Sequence, residues 1–363
     1  MNASRPADDL HAAAAEISAR GHAFAMALVL DTTGSTPGKA GAKALIDANG
    51  AIRGTIGGGA VEAEALRRAV EAIRTGWPTV FDFDLTGNSS AARVPVCGGS
   101  MRVLIDPTAH RHHADYAAAA DARQRRRRGV LMTSIRGEAE RQVTACFFAD
   151  GTIPQDLGFP GAEAISTAVK RDTPCRWLSP PGRTGESLEV FFEPIHPNPM
   201  LLIFGGGHVG QALAAQAALV GFEIVVIDDR PEFVRPELFP PGTVLHCGDV
   251  GQTPTEVPIG SDTYVVIVTR DHAHDAQALA AYVQSDAAYV GMIGSRRKVA
   301  MMREDFIQSG RATAAQFDRI HAPIGFNLGA ATVPEIAVGI LAELIAVRRG
   351  ARCIATPQIV NTP

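Results

Sequence analysis

The sequence predicts an α/β protein, with a C-terminal Rossmann-type parallel-sheet domain behind an N-terminal mixed α/β domain. Three observations carry that reading. The apolar run Met200-Leu201-Leu202-Ile203-Phe204 passes directly into Gly205-x-Gly207-x-x-Gly210, and 211–220 continues with helical spacing. Strand, glycine turn and helix in this order is the setting in which such glycines receive a phosphate. Beyond residue 199, short apolar runs at 201–204, 223–227, 243–245, 263–268 and 288–293 alternate with helix-like stretches. That alternation is the signature of a parallel sheet wrapped by helices. Ahead of residue 194 the strands come instead in hairpin-like pairs, such as 129–135 with 141–149.

Taken in order, 7–20 is alanine-rich with apolar residues at helical spacing and predicts a first helix. Residues 23–30 read as a buried strand and 44–47 as a second. Asn49-Gly50 then favours a tight turn, and the chain returns through Ile52 to Thr55. Residues 60–75 place Val61, Ala65, Leu66, Ala69, Val70 and Ile73 on one helical face. Strands are expected at 79–85 and 101–105, a helix at 110–126 closed by Arg125 to Arg128, and a last N-terminal strand at 188–193. Three prolines in 194–199 mark a linker, since proline neither continues a helix nor donates to a sheet ladder. The expected organisation is therefore 1–193, a linker at 194–199, a Rossmann-type domain at 200–350 and a tail at 351–363. A final amphipathic helix covers 334–348.

Composition narrows the class. In 363 residues, 46% hydrophobic and 20% charged content is that of a globular protein, and a net charge of −4 disfavours a nucleic-acid surface. No apolar run reaches the roughly 18 residues of a membrane span, and the polar start MNASRPADDL does not read as a secretory signal. Five cysteines, with no C-x-x-C pair, suit a reducing compartment and disfavour a disulfide framework or structural zinc site. A cytoplasmic protein is expected.

The C-terminal candidates follow from the fold. Gly205, Gly207 and Gly210 allow a tight turn, close backbone approach and helix packing, and His208 stands at the helix start, where a capping role and a hydrogen bond to phosphate are both open. Asp228, closing the next strand, is placed for a ribose diol, and Arg230 for a phosphate on it. Arg270, Asp271, His272 and His274 follow the strand at 264–268, where ligand contact or acid–base work is favoured over a metal site, which lacks a third ligand, and capping by Asp271 is the plain alternative. Gly294 and Ser295 form an anion-receiving turn, with Arg296 or Lys298 adding charge. In the N-terminal half, Gly34-Ser35, Gly57-Gly58-Gly59 with Glu62, and Cys97-Gly98-Gly99 expose unobstructed N–H groups. Cys97 beside two glycines is placed for soft-metal or sulfur chemistry, with an inert thiol as the plain alternative.

These residues carry a resemblance. The stretch Gly34 to Gly41, the G-G-G-x-x-E of 57–62 and the C-G-G of 97–99 resemble the N-terminal domain of the xanthine dehydrogenase accessory protein family (XdhC/CoxI-like). Phe204 to Gly210, Asp228 to Pro231, Thr269 to Asp275, Gly291 to Lys298 and His321 to Gly325 are similar to that family's Rossmann domain. Phe326-Asn327-Leu328-Gly329 departs from it, because the family more often carries Leu-Asp there, which puts a charged role at Asn327 in doubt.

The resemblance implies a molybdenum-cofactor chaperone rather than a turnover enzyme. Such a protein holds the pterin cofactor while a cysteine desulfurase supplies sulfur, then delivers it to an apo-enzyme of the xanthine dehydrogenase class. Residues 205–210 would hold the phosphate and the N-terminal loops would shield the molybdenum end, with Cys97 as metal contact or sulfur relay. A homodimer is the expected assembly. Two other readings stand beside it: an NAD(P)-dependent oxidoreductase using Asp271, His272 and His274, and a nucleotide sensor that only binds a partner enzyme.

Overall fold

The computed structural model describes residues 9–85, 98–138, 140–150, 173–179, 187–252 and 257–351. They divide into two compact units, one ending at Pro197 and one beginning at Asn198.

The N-terminal unit holds two antiparallel sheets. The first is built from β1 (Phe24–Thr33), β2 (Lys43–Asp47), β3 (Ile52–Thr55), β4 (Thr79–Asp84) and β5 (Ser100–Asp106), in the order β3-β2-β1-β5-β4 with β1 at the centre. Strand β1 is buried on both faces. Ala25, Ala27 and Val29 pack under Val61, Ala65, Ala69 and Ala72 of α2 (Gly59–Thr75). From the opposite face, Leu28 and Leu30 meet Ile135, Val143 and Phe191 of the second sheet. That sheet comprises β6 (Gly129–Arg136), β7 (Gln142–Ala149), β8 (Cys175–Leu178) and β9 (Leu188–Ile195), in the order β7-β6-β9-β8. Period-two burial thus lets one strand serve two cores. Helices α1 (Leu10–Ala19), capped by Asp9, and α3 (His113–Gln124) pack beside it.

Three sequence expectations change here. The helix expected from 110 begins as a 3-10 turn at Ala109–His112, and α3 ends at Gln124 with Arg126 in the left-handed region. Strand β8 has no counterpart among the expected strands. Strand β9 runs two residues into the expected linker, pairing Pro194 with Val130 and Ile195 with Gly129 of β6. The ladder between β8 and β9 ends at Phe192, so Pro194 stands where no N–H is required on that side.

The C-terminal unit is a parallel sheet of β10 (Met200–Phe204), β11 (Glu223–Asp228), β12 (Val244–Cys247), β13 (Thr263–Ile267) and β14 (Tyr289–Met292). Their order is β12-β11-β10-β13-β14. Strands β10 and β13 are buried along their whole length, because helices cover both faces. On one side α4 (His208–Leu219) and α8 (Val333–Arg348) pack on Leu201, Ile203, Val226 and Tyr264. On the other, α5 (His272–Tyr282), α6 (Arg296–Gln308) and the short α7 (Ala314–Phe317) pack on Leu202, Phe204, Val265 and Ile267. The order reverses beside β10, so the crevice at the carboxyl ends of β10 and β13 is the ligand position of such folds. No helix among the described residues is long and apolar enough to cross a membrane.

Candidate functional site

In the N-terminal unit the glycine segments meet. A Cβ on Gly34 would lie 2.5 Å from the Gly98 carbonyl oxygen, and one on Gly99 2.3 Å from that of Thr33. A Cβ on Gly38 would lie 2.0 Å from the Ile56 oxygen, and one on Gly57 2.5 Å from the Gly38 nitrogen. Backbone therefore packs on backbone, and the turns after β1 and β3 and before β5 form one cluster. Side chains close it further. Thr33 Oγ1 and Ser100 Oγ share a hydrogen bond of 2.7 Å. Thr55 Oγ1 donates to Glu62 Oε2 (2.8 Å) and accepts from the Gly57 N–H (3.0 Å), while the Ile56 N–H reaches the same Glu62 oxygen at 3.3 Å. Glu62 thus ties the turn to the first turn of α2.

What this cluster leaves open is the helix start. Gly58 caps α2 with no side-chain hydrogen bond, and Gly58 and Gly59 have positive φ (75° and 64°) with open space where a Cβ would be. The first N–H groups of a helix lack intrahelical partners and attract negative charge. Ser35 and Gly98 are exposed at the same cluster. Cys97 lies outside the described residues. Among the described cysteines, burial pushes the Cys146 and Cys175 thiols up, and Cys247 is exposed at the end of β12.

In the C-terminal unit, Gly205 leaves β10 at φ 111°, and a Cβ there would lie 2.4 Å from the Val268 oxygen. Gly206 and Gly210 are equally confined, by the Phe233 oxygen at 2.3 Å and the Gly205 oxygen at 2.0 Å. Gly207 differs: it caps α4 with an ordinary φ of −70°, without a side-chain bond, and nothing lies within 4 Å of its Cβ position. His208 is exposed at the first helical position.

The groups around this turn are strongly paired. Buried Asp228 accepts from the Gly206 N–H (2.8 Å), the Arg230 N–H (3.0 Å), Arg230 Nε (2.9 Å) and Arg230 Nη2 (2.9 Å). Burial pushes this carboxyl up, but those four bonds win and hold it below the usual range. The Arg230 guanidinium also stacks on Phe233, 3.9 Å from the ring centroid. Asp229 grips Arg270 through two bonds of 2.9 Å. Arg270 Nη2 lies 2.7 Å from His274 Nε2, and His274 Nδ1 lies 2.9 Å from Asp271. An arginine can only donate, so His274 accepts at Nε2 and donates from Nδ1, which fixes one neutral tautomer. The His274 hydrogen bond, with backbone N–H bonds, brings the Asp271 carboxyl down to about 2.

The predicted residues therefore divide. Asp271 is a helix cap as well as a partner of His274, accepting from the Ala273 and His274 N–H groups, while His272 is exposed at the helix start. Ser295 caps α6 by accepting from the Lys298 N–H, and the Lys298 ammonium turns to Asp275, a carboxylate 0% exposed that also holds Thr269. Arg296, next to Gly294 and Ser295, begins α6 exposed. Sequence reasoning passed over Asp229, Asp275, Phe233 and the hydroxyls of Thr33, Thr55 and Ser100. Asp229 and Asp275 had a signal, the first beside the acid that closes a strand and the second within the polar segment 269–275. Among the described residues no group of three or more His, Cys, Asp or Glu side chains could hold a metal ion.

A second constellation lies where 320–325 runs beside β14. The Glu343 carboxylate of α8 accepts from Tyr289 Oη (2.6 Å), the Gly325 N–H (2.7 Å) and His321 Nδ1 (2.9 Å), and the His321 ring stacks on Tyr289. Burial raises this carboxyl, and the bonds from His321, Tyr289 and Gly325 lower it further than burial lifts it.

Comparison with known proteins agrees with both units. Residues 201–344 match the family described as the XdhC Rossmann domain, and 17–84 match the XdhC and CoxI family. An uncharacterized Escherichia coli protein, YqeB, is 29% identical over 93% of this chain, which spans only 46% of YqeB. A Bacillus subtilis protein described as a probable xanthine dehydrogenase subunit is 24% identical over 89% of this chain and 93% of its own length. The Escherichia coli molybdenum cofactor insertion chaperone PaoD is 26% identical over 46% of this chain and 45% of its own. A crystal structure from Bacillus halodurans, described as a xanthine dehydrogenase, superposes with a TM-score of 0.69 at 20% identity, covering 96% of this chain and 98% of that one.

Proposed function

From the premise that this chain belongs to the XdhC and CoxI family, we propose that it carries the molybdenum pterin cofactor and hands it to a xanthine dehydrogenase-class apo-enzyme. The observation that carries this reading is the uncapped start of α4 behind Gly207. Of the motif glycines in the 205–210 turn, Gly207 alone is required by neither backbone angle nor space, so its missing side chain serves an approaching group. A phosphate suits that position, because first-turn N–H groups and the helix dipole act together. Similarity to a molybdenum cofactor insertion chaperone supports the choice of cargo.

In this reading the cofactor is cargo, and the chain's residues bind and shield it without transforming it. The 205–210 turn takes the phosphate, with Arg270 as the nearby cation. In the N-terminal unit, the open helix start at Gly58 and Gly59, beside exposed Ser35 and Gly98, is proposed as a separate set of N–H donors, in a cluster completed by Gly34, Gly57 and Gly99 and held in shape by Glu62. Cys97 is the proposed thiol for contact with molybdenum or relay of sulfur from a cysteine desulfurase. A homodimer in the cytoplasm is part of the same proposal.

The test is elemental analysis with native mass spectrometry of protein purified from a molybdate-fed host. Molybdenum and a pterin phosphate mass on folded protein are expected. Folded protein that never carries either would overturn the reading. Cys97→Ala separates its own role: normal molybdenum content with full activation of the target enzyme removes Cys97 from the mechanism and leaves the carrier.

A further inference from the structure

A dinucleotide fold holds its ribose diol on an acid at the end of the second strand. Here that position has two acids, Asp228 and Asp229, and both face arginine. Asp228 accepts four hydrogen bonds, two at each oxygen, from Gly206 and Arg230. A carboxylate offers about four lone-pair directions, so Asp228 has none left for a hydroxyl. Asp229 presents both oxygens to the Arg270 fork.

We infer that this strand end does not recognise a ribose diol, and that the C-terminal unit selects a phosphate ester by its anionic group alone, with Arg270 as the selecting cation. The inference rests on the reading of 205–210 as a phosphate turn and narrows its ligand. The argument is one of exchange. A neutral diol could reach Asp229 only by displacing a bidentate guanidinium, which is among the stronger pairings available to a carboxylate. An anion need not displace Asp229, because Nη1 carries a second N–H beyond the one given to Asp229, while Nε faces Asp271 at 3.5 Å.

Arg270 is placed for that sharing. The backbone of Val268 and Thr269 lies 2.4 and 3.1 Å from the Cβ position of Gly205, so the loop carrying Arg270 abuts the glycine turn. The Arg270 side chain is 37% exposed, and its guanidinium is steadied by Asp229 and by the accepting nitrogen of His274. Both arginines give two nitrogens to a carboxylate, but Arg230 is the less exposed, at 27%, and its plane lies on Phe233.

The experiment is calorimetric titration of the full chain with inorganic pyrophosphate, ADP and 2′,3′-dideoxy-ADP, with molybdenum content measured on the same preparations. ADP and its dideoxy form should bind within about twofold of each other, since no charge-assisted bond is lost. Arg270→Gln should weaken all three ligands by about tenfold, the scale of a charge-assisted pair, and Arg270→Lys should restore part of that loss. An unchanged melting temperature would show that the fold is intact. A preference of about tenfold or more for ADP over dideoxy-ADP would overturn the inference, because that is the penalty for stranding a buried acceptor. Full affinity in Arg270→Gln would overturn it too. If none of the three binds while molybdenum is still carried, the inference fails and the carrier reading stands. Loss of molybdenum from unaltered, folded protein strikes the carrier reading itself.

Discussion

In the N-terminal cluster, a side chain at Gly34, Gly38, Gly57 or Gly99 would run into the backbone of another turn, whereas at Gly207 of the C-terminal turn it would meet open space. Both α2 and α4 begin with no side chain on their first N–H groups, but at the N-cap Gly58 has a left-handed φ and Gly207 does not. A glycine motif is thus two kinds of statement. Where packing or a left-handed φ demands glycine, the motif reports architecture. Where neither does, it reports an approaching ligand.

The largest expected effect tests the architectural half. Gly38→Ala would set a methyl 2.0 Å from the Ile56 oxygen, and Gly210→Ala one 2.0 Å from the Gly205 oxygen. Each should destabilise its own unit by about 3 kcal/mol, the upper end of ordinary overpacking, because backbone cannot swing aside as a side chain can. Denaturant melts of the full chain, followed separately for each unit by limited proteolysis, check it. A shift below about 0.5 kcal/mol, typical of surface changes, would break the comparison.

A comparable effect with a pH signature comes from Glu193, which His11 and Lys43 contact in the N-terminal unit. Burial pushes its carboxyl up, but the charges of Lys43 and His11 outweigh burial and hold it far below the usual range. A carboxyl depressed on folding contributes stability above its unfolded value, and loses it as pH falls through the folded one. Glu193→Gln should therefore cost about 3 kcal/mol at neutral pH by stranding Lys43, whose side chain is only 11% exposed. The gap to the unaltered protein should narrow as pH falls below about 4.3, the unfolded glutamate value. A gap constant down to acid would show that charge at Glu193 is not what holds the unit.

The ligand half is tested by Gly207→Asp. Its φ of −70° suits any residue, and aspartate caps a helix only slightly better than glycine, so stability should hold or rise by about 0.3 kcal/mol. The same carboxylate should occupy the N–H groups and repel phosphate, lowering pyrophosphate affinity at least about tenfold. Calorimetry and a thermal melt on one sample read both. Unchanged affinity would leave Gly207 unexplained and remove the basis for the phosphate position.

How much of this was legible depended on the range of the interaction. Strands β10 and β13 were readable because full burial leaves continuous apolar runs, and the 205–210 turn because its context is contiguous. The four-residue β8 was not, being too short for a period. Pro194 misled because its cost depends on whether a neighbouring strand reaches that far. At the site, each glycine segment was visible, but their contact was not, since it joins residues 34, 57 and 98 through sheet pairing. The pairing of Lys298 with Asp275 was hidden for the same reason: each residue has a local reading in the sequence, and the bond spans two helices.

The smallest expected effect concerns Gly98, where the two halves of the comparison touch. Among the described residues nothing lies within 4 Å of its Cβ position, so by the reasoning on space applied to Gly207 it too faces a ligand. Its neighbour Gly99, confined by the Thr33 and Ser35 oxygens, is architectural. Gly98→Ala should leave stability within about 0.5 kcal/mol, because the added methyl meets no described atom within contact distance. The methyl would still narrow the approach to the N–H groups of the cluster, so molybdenum retained on purified protein should fall. Retention equal to that of the unaltered chain would mean that open space beside a glycine does not by itself mark a contact, and the argument from Gly207 would then rest on its helix start alone.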